Sequence, residues 1–539
     1  MVLTDVLKRW QVLRGRRAIL CTGTDEHGMK VQQASAKAGS EPKQFCDKGA
    51  EVFKTLASRV QLSNDHFVRT TDAEHREAVE YAWHLLAERG YIYQAKHEGW
   101  YSVSDETFYP ESAVHLKLDP PTGRKVMVST ETGKEVEWTS EMNYHFRLSA
   151  FRERLLEFYK DNPTWIVPAS RMNDVVSAVS SSLSDLSISR PVERLTWGIR
   201  VPSDSSQTIY VWLDALLNYI TKAGYPWAPN AAHDGGWPAD VQVIGKDIVR
   251  FHCIYWPAFL MALDLPLPKR ILTHAHWTLG KQKMAKSTGN VVNPFFALDR
   301  FGVDTMRYYL AHDGGITDDA DYENKFIIER YKKGLQGALG NLTSRIMRGK
   351  GWDVRKAVER FAPILNPSGE EVAAGAEQEP MLAVGRLDDP LDKEAHKFHA
   401  RLQQLPPQVE THFDNLMPNL ALKQIMLTIY AANAYLQATS PWTLVSWLKD
   451  DQLDPPPNTK EQIDRIVFLC AETLRICGIL LQPYMPDKTK LLLDMLGVDE
   501  GRRTWADARV GADATFGVPM VGLGSGPKGV LFPVLSSDT

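Results

Sequence analysis

The sequence has 539 residues, 44% of them hydrophobic and 24% charged, with a net charge of −4. That is the balance of a globular chain long enough for several domains, with no apolar run that would span a bilayer. The charge excludes a bulk polyanion binder, so any nucleic-acid contact must use a local basic patch.

In chain order, MVLTDVLKRWQVLRG carries Leu3, Val6, Leu7, Trp10 and Leu13 as a helical stripe ended by Gly15. It shows no secretory or transit-peptide pattern. RAILCTGT reads as a short apolar strand with DEHG at its end. VQLSNDHFVRT is strand-like, and AEHREAVEYAWHLLAERG is a long helix. Such alternation predicts a parallel α/β sheet. From Tyr91 to Pro168 the texture changes to β-hairpins, read as an insertion. VQVIGKD is then an apolar strand and IVRFHCIYWPAFLMALD a helix. Beyond residue 330 the pattern is helical and predicts a bundle. Within it, the acidic stretch near 365–392 is expected to be disordered.

The five cysteines, Cys21, Cys46, Cys253, Cys470 and Cys477, form no CxxC pair. That argues against a zinc knuckle or disulfide framework and fits a reducing compartment. Cys470 and Cys477 read as core.

Four stretches carry candidate chemistry. In KQKMAKSTGN, Lys283 and Lys286 flank a turn between Gly280 and Gly289, and two ammonium groups suit a polyphosphate. A solvated basic loop is the plainer alternative. In GTDEHG, Asp25 stands at a strand end, where open α/β sheets bind ligands; the alternative is a helix N-cap. In IYVWLDALLNYI, Trp212, Ala215, Leu216 and Tyr219 share a helical face, a spacing as compatible with core as with a pocket. In VIGKDIVRFHCIYWPAF, Gly245 permits close approach and Asp247 suits a ribose hydroxyl pair. Phe251, His252, Tyr255 and Trp256 follow on one face.

Together, GTDEHG, YVWLDAL–NY, IGKDIVRFH–W and KMAKS resemble the class I aminoacyl-tRNA synthetases in order and spacing, and most of all the methionyl-tRNA synthetases. LSDLSISRP, LTWGIRVP, LGNLTSRI and SPW extend the resemblance over nearly the whole chain. It implies a Rossmann-type parallel sheet split by a small β-rich insertion and followed by a helical anticodon-binding bundle. The implied divisions are 1–90 and 169–285 for the two catalytic halves, 91–168 for the insertion, 286–330 for the lysine loop and stem-contact region, and 331–535 for the bundle.

The resemblance also implies roles. Asp25 would bind the methionine ammonium, and Trp212, Ala215, Tyr219, Phe251, His252 and Trp256 the side chain, with His252 or Tyr219 as a polar partner for sulfur. Gly245 and Asp247 would hold the ATP ribose. Lys283, Met284, Lys286 and Ser287 would form the loop that steadies pyrophosphate. Asn341, Arg345 and Trp442 would read the anticodon of tRNA(Met), helped by seven basic residues against one acidic between Lys325 and Lys350. The substrates would be methionine and ATP with Mg2+, and a monomer in the mitochondrial matrix is expected, the cytoplasm being the second choice.

Three departures from the family stand out. Ala285 replaces a serine in the lysine loop, for an expected loss of about 1 kcal/mol. YSVSDETFYP has Ser102 and Ser104 where zinc-bearing members have cysteines, so no structural zinc is expected. No H-x-G-H occurs anywhere in the chain. The expectation is that Met1 is an internal methionine, that a first strand and any presequence are lost, and that the chain as it stands is inactive. The competing readings are a non-catalytic tRNA-binding paralogue and a class I synthetase for another apolar amino acid. The size of the insertion disfavours the latter, being too small for an editing domain.

Overall fold

The computed structural model describes residues 1–103, 107–109, 111–119, 123–228, 231–284, 289–365, 390–450, 455, 458–524 and 529–535. Most of the acidic stretch near 365–392, together with Ser104, Ala285, Lys286 and Ser287, lies outside the described residues. The chain divides into two compact units: residues 19–58 with 64–275, and residues 1–18, 59–63 and 276–539.

The first unit is α/β. Strand Cys21–Thr24 pairs in parallel with His66–Arg69, with Thr24 opposite Arg69. Gln242–Gly245 pairs in parallel with Ile271–His274, which pairs with Ile166–Val167. The parallel strands thus form two short ladders, and helices such as Ala73–Glu88 and Trp256–Ala262 contribute to the same core. Gly23 is required where these strands meet, because a Cβ there would lie 1.8 Å from the Val68 carbonyl oxygen. The insertion is antiparallel. Ile92–Ser102 pairs along its length with Glu137–Phe146, and a second hairpin joins Val114–Asp119 to Arg124–Ser129.

At the base of the insertion, buried Arg190 lies over three rings, with its guanidinium carbon 5.1 Å from Tyr101, 4.8 Å from Phe108 and 4.7 Å from Tyr210. It donates to the Ser187 hydroxyl at 2.9 Å and the Ser189 carbonyl at 2.6 Å. Cation–π contacts of this desolvated kind contribute about 2 kcal/mol. Among the described residues, no cluster of His, Cys, Asp or Glu could hold a metal ion.

The second unit is largely helical. After Ala320–Asp321 it contains no strand among the described residues. Its axis is Thr459–Leu481, buried on every side among Val354–Leu365, Pro390–Asp414 and Pro418–Thr439. Cys470 and Cys477 are fully buried there, as expected of core. The N-terminal helix Val2–Leu13 packs in this unit, with Trp10 stacked on Phe413 at 4.2 Å. Its buried face includes an ion: Asp5 accepts from Arg307 at 2.6 Å, and both side chains are fully buried. No helix among the described residues is long and apolar enough to cross a membrane.

Candidate active site

Two strand ends in the α/β unit present a carboxylate. Asp25 follows strand Cys21–Thr24 and is exposed. The next helix, Met29–Lys37, is capped by Gly28 without a side-chain hydrogen bond, so the N-cap alternative for Asp25 is not realised. Asp25 is followed by two fixed neighbours. Glu26 is buried and pairs with Arg69 through two bonds of 2.7 and 2.9 Å. His27 is buried against Trp197, and its Nδ1 lies 2.7 Å from Asp214. At the other ladder, Asp247 is exposed two residues beyond Gly245. A Cβ at Gly245 would lie 2.9 Å from the Asp247 carboxylate, so glycine leaves that carboxylate its place.

An aromatic cluster forms from two helical segments. Trp212 and Phe251 stack at 3.6 Å and 13°. Ala215 and Leu216 are buried on the same short helix, Val211–Leu216. The segment expected as one regular helix after Asp247 is instead a short 3₁₀ turn at Lys246–Ile248, a π turn at Phe251–Tyr255 and then the helix Trp256–Ala262. A π turn widens the spacing and is common at functional sites. It places His252 Nε2 2.7 Å from the Tyr219 hydroxyl. Trp256 is wholly buried, with its ring 6.0 Å from that of Tyr219.

The protons of this pair can be assigned. His252 Nδ1 lies 3.0 Å from the Ile248 carbonyl, which can only accept, so Nδ1 carries the hydrogen. Nε2 then accepts from Tyr219. In this arrangement both hydrogens are engaged within the protein. The donors without a partner here are the buried indole N–H groups of Trp212 and Trp256. Burial pushes the Tyr219 hydroxyl well above its ordinary range, with Cys21 and then the charge of Asp25 adding to it.

In the helical unit, Lys283 ends a hairpin in which Thr278 is opposite Lys283, and it is exposed. Gly280 and Gly289 both take positive φ, 59° and 68°. Farther on, helix Asn341–Met347 faces Pro418–Thr439. Asn341 donates to Asn433 at 3.2 Å and Arg345 to Gln437 at 3.3 Å. The Arg345 guanidinium lies 4.8 Å over Trp442, which is 37% exposed and so is not the core residue its place after Pro441 allowed. The basic stretch is weaker than its residue count. Lys325 pairs with Glu323, Arg330 with Asp313 and Lys333 with Glu329, and Arg348 donates to the Leu523 and Gly529 carbonyls. Lys332 and Lys350 are exposed.

The family model described as tRNA synthetases class I (M) matches residues 1–347. The chain is 52% identical to the probable mitochondrial methionine--tRNA ligase of Neurospora crassa, over 100% of this chain and 82% of that protein. It is 39% identical to the human mitochondrial methionine--tRNA ligase, over 100% of this chain and 87% of that protein. The crystal structure of Mycobacterium tuberculosis methionyl-tRNA synthetase bound by methionyl-adenylate superposes with a TM-score of 0.82 at 34% identity, covering 99% of this chain and 95% of that one. The chain belongs to the class I tRNA synthetases of the methionyl type.

The synthetase is of the mitochondrial kind among these relatives. Sequence reading of it missed Asp214, His75, Glu26 and Arg69. An acid inside the apolar run IYVWLDALLNYI was the available signal, since a lone carboxylate there must be paired. One pH effect follows from the cluster. Burial drives the His252 imidazole down to about 4, against an ordinary 6.5. Between those values the unfolded chain takes the proton first, so stability rises with pH. Acidifying from 6.5 to 4 should remove about 3 kcal/mol through this group. Urea unfolding followed across that window should show a shallower slope for His252→Gln. His97 and His399, both also near 4 through burial, keep the slope from vanishing. An unchanged slope would contradict the assignment.

Proposed function

We propose that this chain is a methionine--tRNA ligase of mitochondrial protein synthesis, acting as a monomer. It would join methionine to the α-phosphorus of Mg-ATP, release pyrophosphate, and pass the methionyl group to a hydroxyl of the 3′-terminal ribose of tRNA(Met) as AMP leaves. The observations that carry this reading are the Asp25 carboxylate at a strand end and, in the same unit, the aromatic cluster of Trp212, Ala215, Tyr219, Phe251, His252 and Trp256. The carboxylate suits an ammonium. Aromatic rings and unpaired indole N–H groups suit a polarizable thioether. Asp247 suits the ribose hydroxyls, in the space that Gly245 leaves.

The chemistry is positioning and charge neutralisation. The methionine carboxylate oxygen forms the new bond to phosphorus as the bond to pyrophosphate breaks in line. Lys283 and Lys286, with Met284 and Ser287 in the same loop, would neutralise the leaving pyrophosphate, and Mg2+ arrives with ATP. Asn341, Arg345 and Trp442 would take splayed anticodon bases. In this reading the five sequence divisions serve as catalytic halves, insertion, stem-contact region and anticodon bundle.

A second reading is favoured by one sequence fact: these 539 residues contain no H-x-G-H. On it, the chain binds tRNA without forming adenylate. Methionine-dependent ATP–pyrophosphate exchange, run beside tRNA binding, separates the two. Exchange with methionine supports the ligase. Tight tRNA binding without exchange moves the second reading forward. Activation of leucine or valine in preference to methionine would overturn both.

A further inference from the structure

Asn341 and Arg345 each lean on a residue of helix Pro418–Thr439 that none of the roles above uses. Arg345 donates to Gln437 Oε1 at 3.3 Å, and Asn341 Nδ2 donates to Asn433 Oδ1 at 3.2 Å. Asn433 and Gln437 sit one turn apart on their helix, as Asn341 and Arg345 do on theirs. The two bonds are therefore parallel rungs between the helices.

A carboxamide can sit either way round unless its surroundings fix which end donates. Those of Asn433 do. Its Nδ2 donates to two main-chain carbonyls, that of Ile429 at 3.0 Å on its own helix and that of Ala338 at 3.2 Å on the facing segment. Ala338 lies in the π turn Tyr331–Gly340, which runs directly into helix Asn341–Met347. Turned over, half-buried Asn433 would set its oxygen against both carbonyl oxygens and lose two hydrogen bonds. Its Oδ1 is thus fixed as an acceptor facing Asn341. The end of Asn341 that meets it must be the donor, Nδ2. The Asn341 carbonyl oxygen is then left for a ligand. Asn341 is exposed and makes no other side-chain hydrogen bond among the described residues. Turned over, it would present an N–H in place of that oxygen.

We propose that Asn433 is a positioning residue of the anticodon platform. By holding the Asn341 amide one way round, it makes Asn341 an acceptor for the exocyclic amino group of a cytosine or adenine and a poor match for the carbonyl of a uracil. This rests on the reading of Asn341 as an anticodon contact. Arg345, 4.8 Å over Trp442, supplies donors beside that acceptor. A residue that merely joined two helices would weaken every tRNA alike. A residue that orients Asn341 changes the ranking of bases.

The test is filter binding of the full chain to the tRNA(Met) transcript and to transcripts in which each amino-bearing anticodon base is replaced in turn by uracil. The unaltered chain should disfavour uracil by about 10- to 100-fold at the base that Asn341 meets. Asn433→Leu frees the Asn341 amide to turn over. It should cut that ratio to about threefold or less and leave the ratios at other positions within about twofold. Asn433→Ser can keep the Ile429 bond but is too short for Asn341, and should give the same selective change, which covers the case in which Asn433→Leu fails to fold. An equal loss for all transcripts, or no change in any ratio, would overturn the positioning role. Asn341→Ala is the control. If the unaltered chain shows no such preference, or if Asn341→Ala leaves every ratio intact, the anticodon reading of Asn341 falls and the proposal with it. If Asn341→Ala lowers one ratio while Asn433→Leu and Asn433→Ser do not, only the positioning role falls.

Discussion

Asp5→Asn is expected to lower the unfolding free energy by about 3–5 kcal/mol, because it leaves a fully buried guanidinium without its counter-charge. Asp5 receives Arg307 at 2.6 Å and Arg9 at 2.7 Å on one oxygen, and the backbone and hydroxyl of Ser63 at 2.7 and 2.6 Å on the other. Arg307 also donates to the carbonyls of Val60, Pro483 and Tyr484 at 2.8–3.0 Å. The pair therefore ties the first helix, residues 59–63, helix Val303–Asp313 and the end of the bundle axis to one point. Burial raises the Asp5 carboxyl, but Arg307 and Ser63 more than offset this and hold it below its ordinary value. Its contribution is then complete above the ordinary carboxylate range and is lost as pH falls through the folded value. Chemical denaturation at neutral pH measures the effect; a loss under about 1 kcal/mol would mean that Arg307 is satisfied by carbonyls alone.

Trp442→Ala should raise the dissociation constant for tRNA(Met) about 10- to 100-fold, the range of one base stacked on an aromatic ring. The ring is 37% exposed and carries Arg345 4.8 Å over it, so a stacked base would add to a platform already built. The loss should be the same at low and moderate salt, since no phosphate contact is removed. Filter binding with the wild-type transcript and one altered in the anticodon gives both readings. If the variant binds both transcripts as the wild type does, Trp442 is not part of the interface.

Much of the site was legible in the sequence because its residues lie at strand ends or recur at helical spacing. Asp25 and Asp247 follow short strands by one and two residues, Gly245 ends the second of these strands, and Asn341 and Arg345 sit one turn apart. What was not legible depends on partners far away in sequence. Asp5 lies among the apolar positions Val2, Val6 and Trp10, which signals a buried charge, but nothing local names Arg307 as its partner. Asp214 likewise declares itself buried, while its two histidines come from separate segments. The π turn at Phe251–Tyr255 was missed for another reason: a pattern read at a fixed helical period cannot register one extra residue in a turn. The basic stretch was over-read because counting charges ignores the carboxylates that fold beside them. The exposed pairs so formed are worth little to stability, yet they remove net charge from the surface offered to a phosphate backbone.

Arg190 has a consequence for durability. Residues 91–168 contain no cysteine, and the base of this region is gathered around a guanidinium lying on rings. A thiolate cage can be opened by peroxide or emptied by a chelator. Carbon, nitrogen and oxygen atoms arranged as they are around Arg190 offer neither route, so the packing of these rings on the guanidinium does not itself depend on a thiolate.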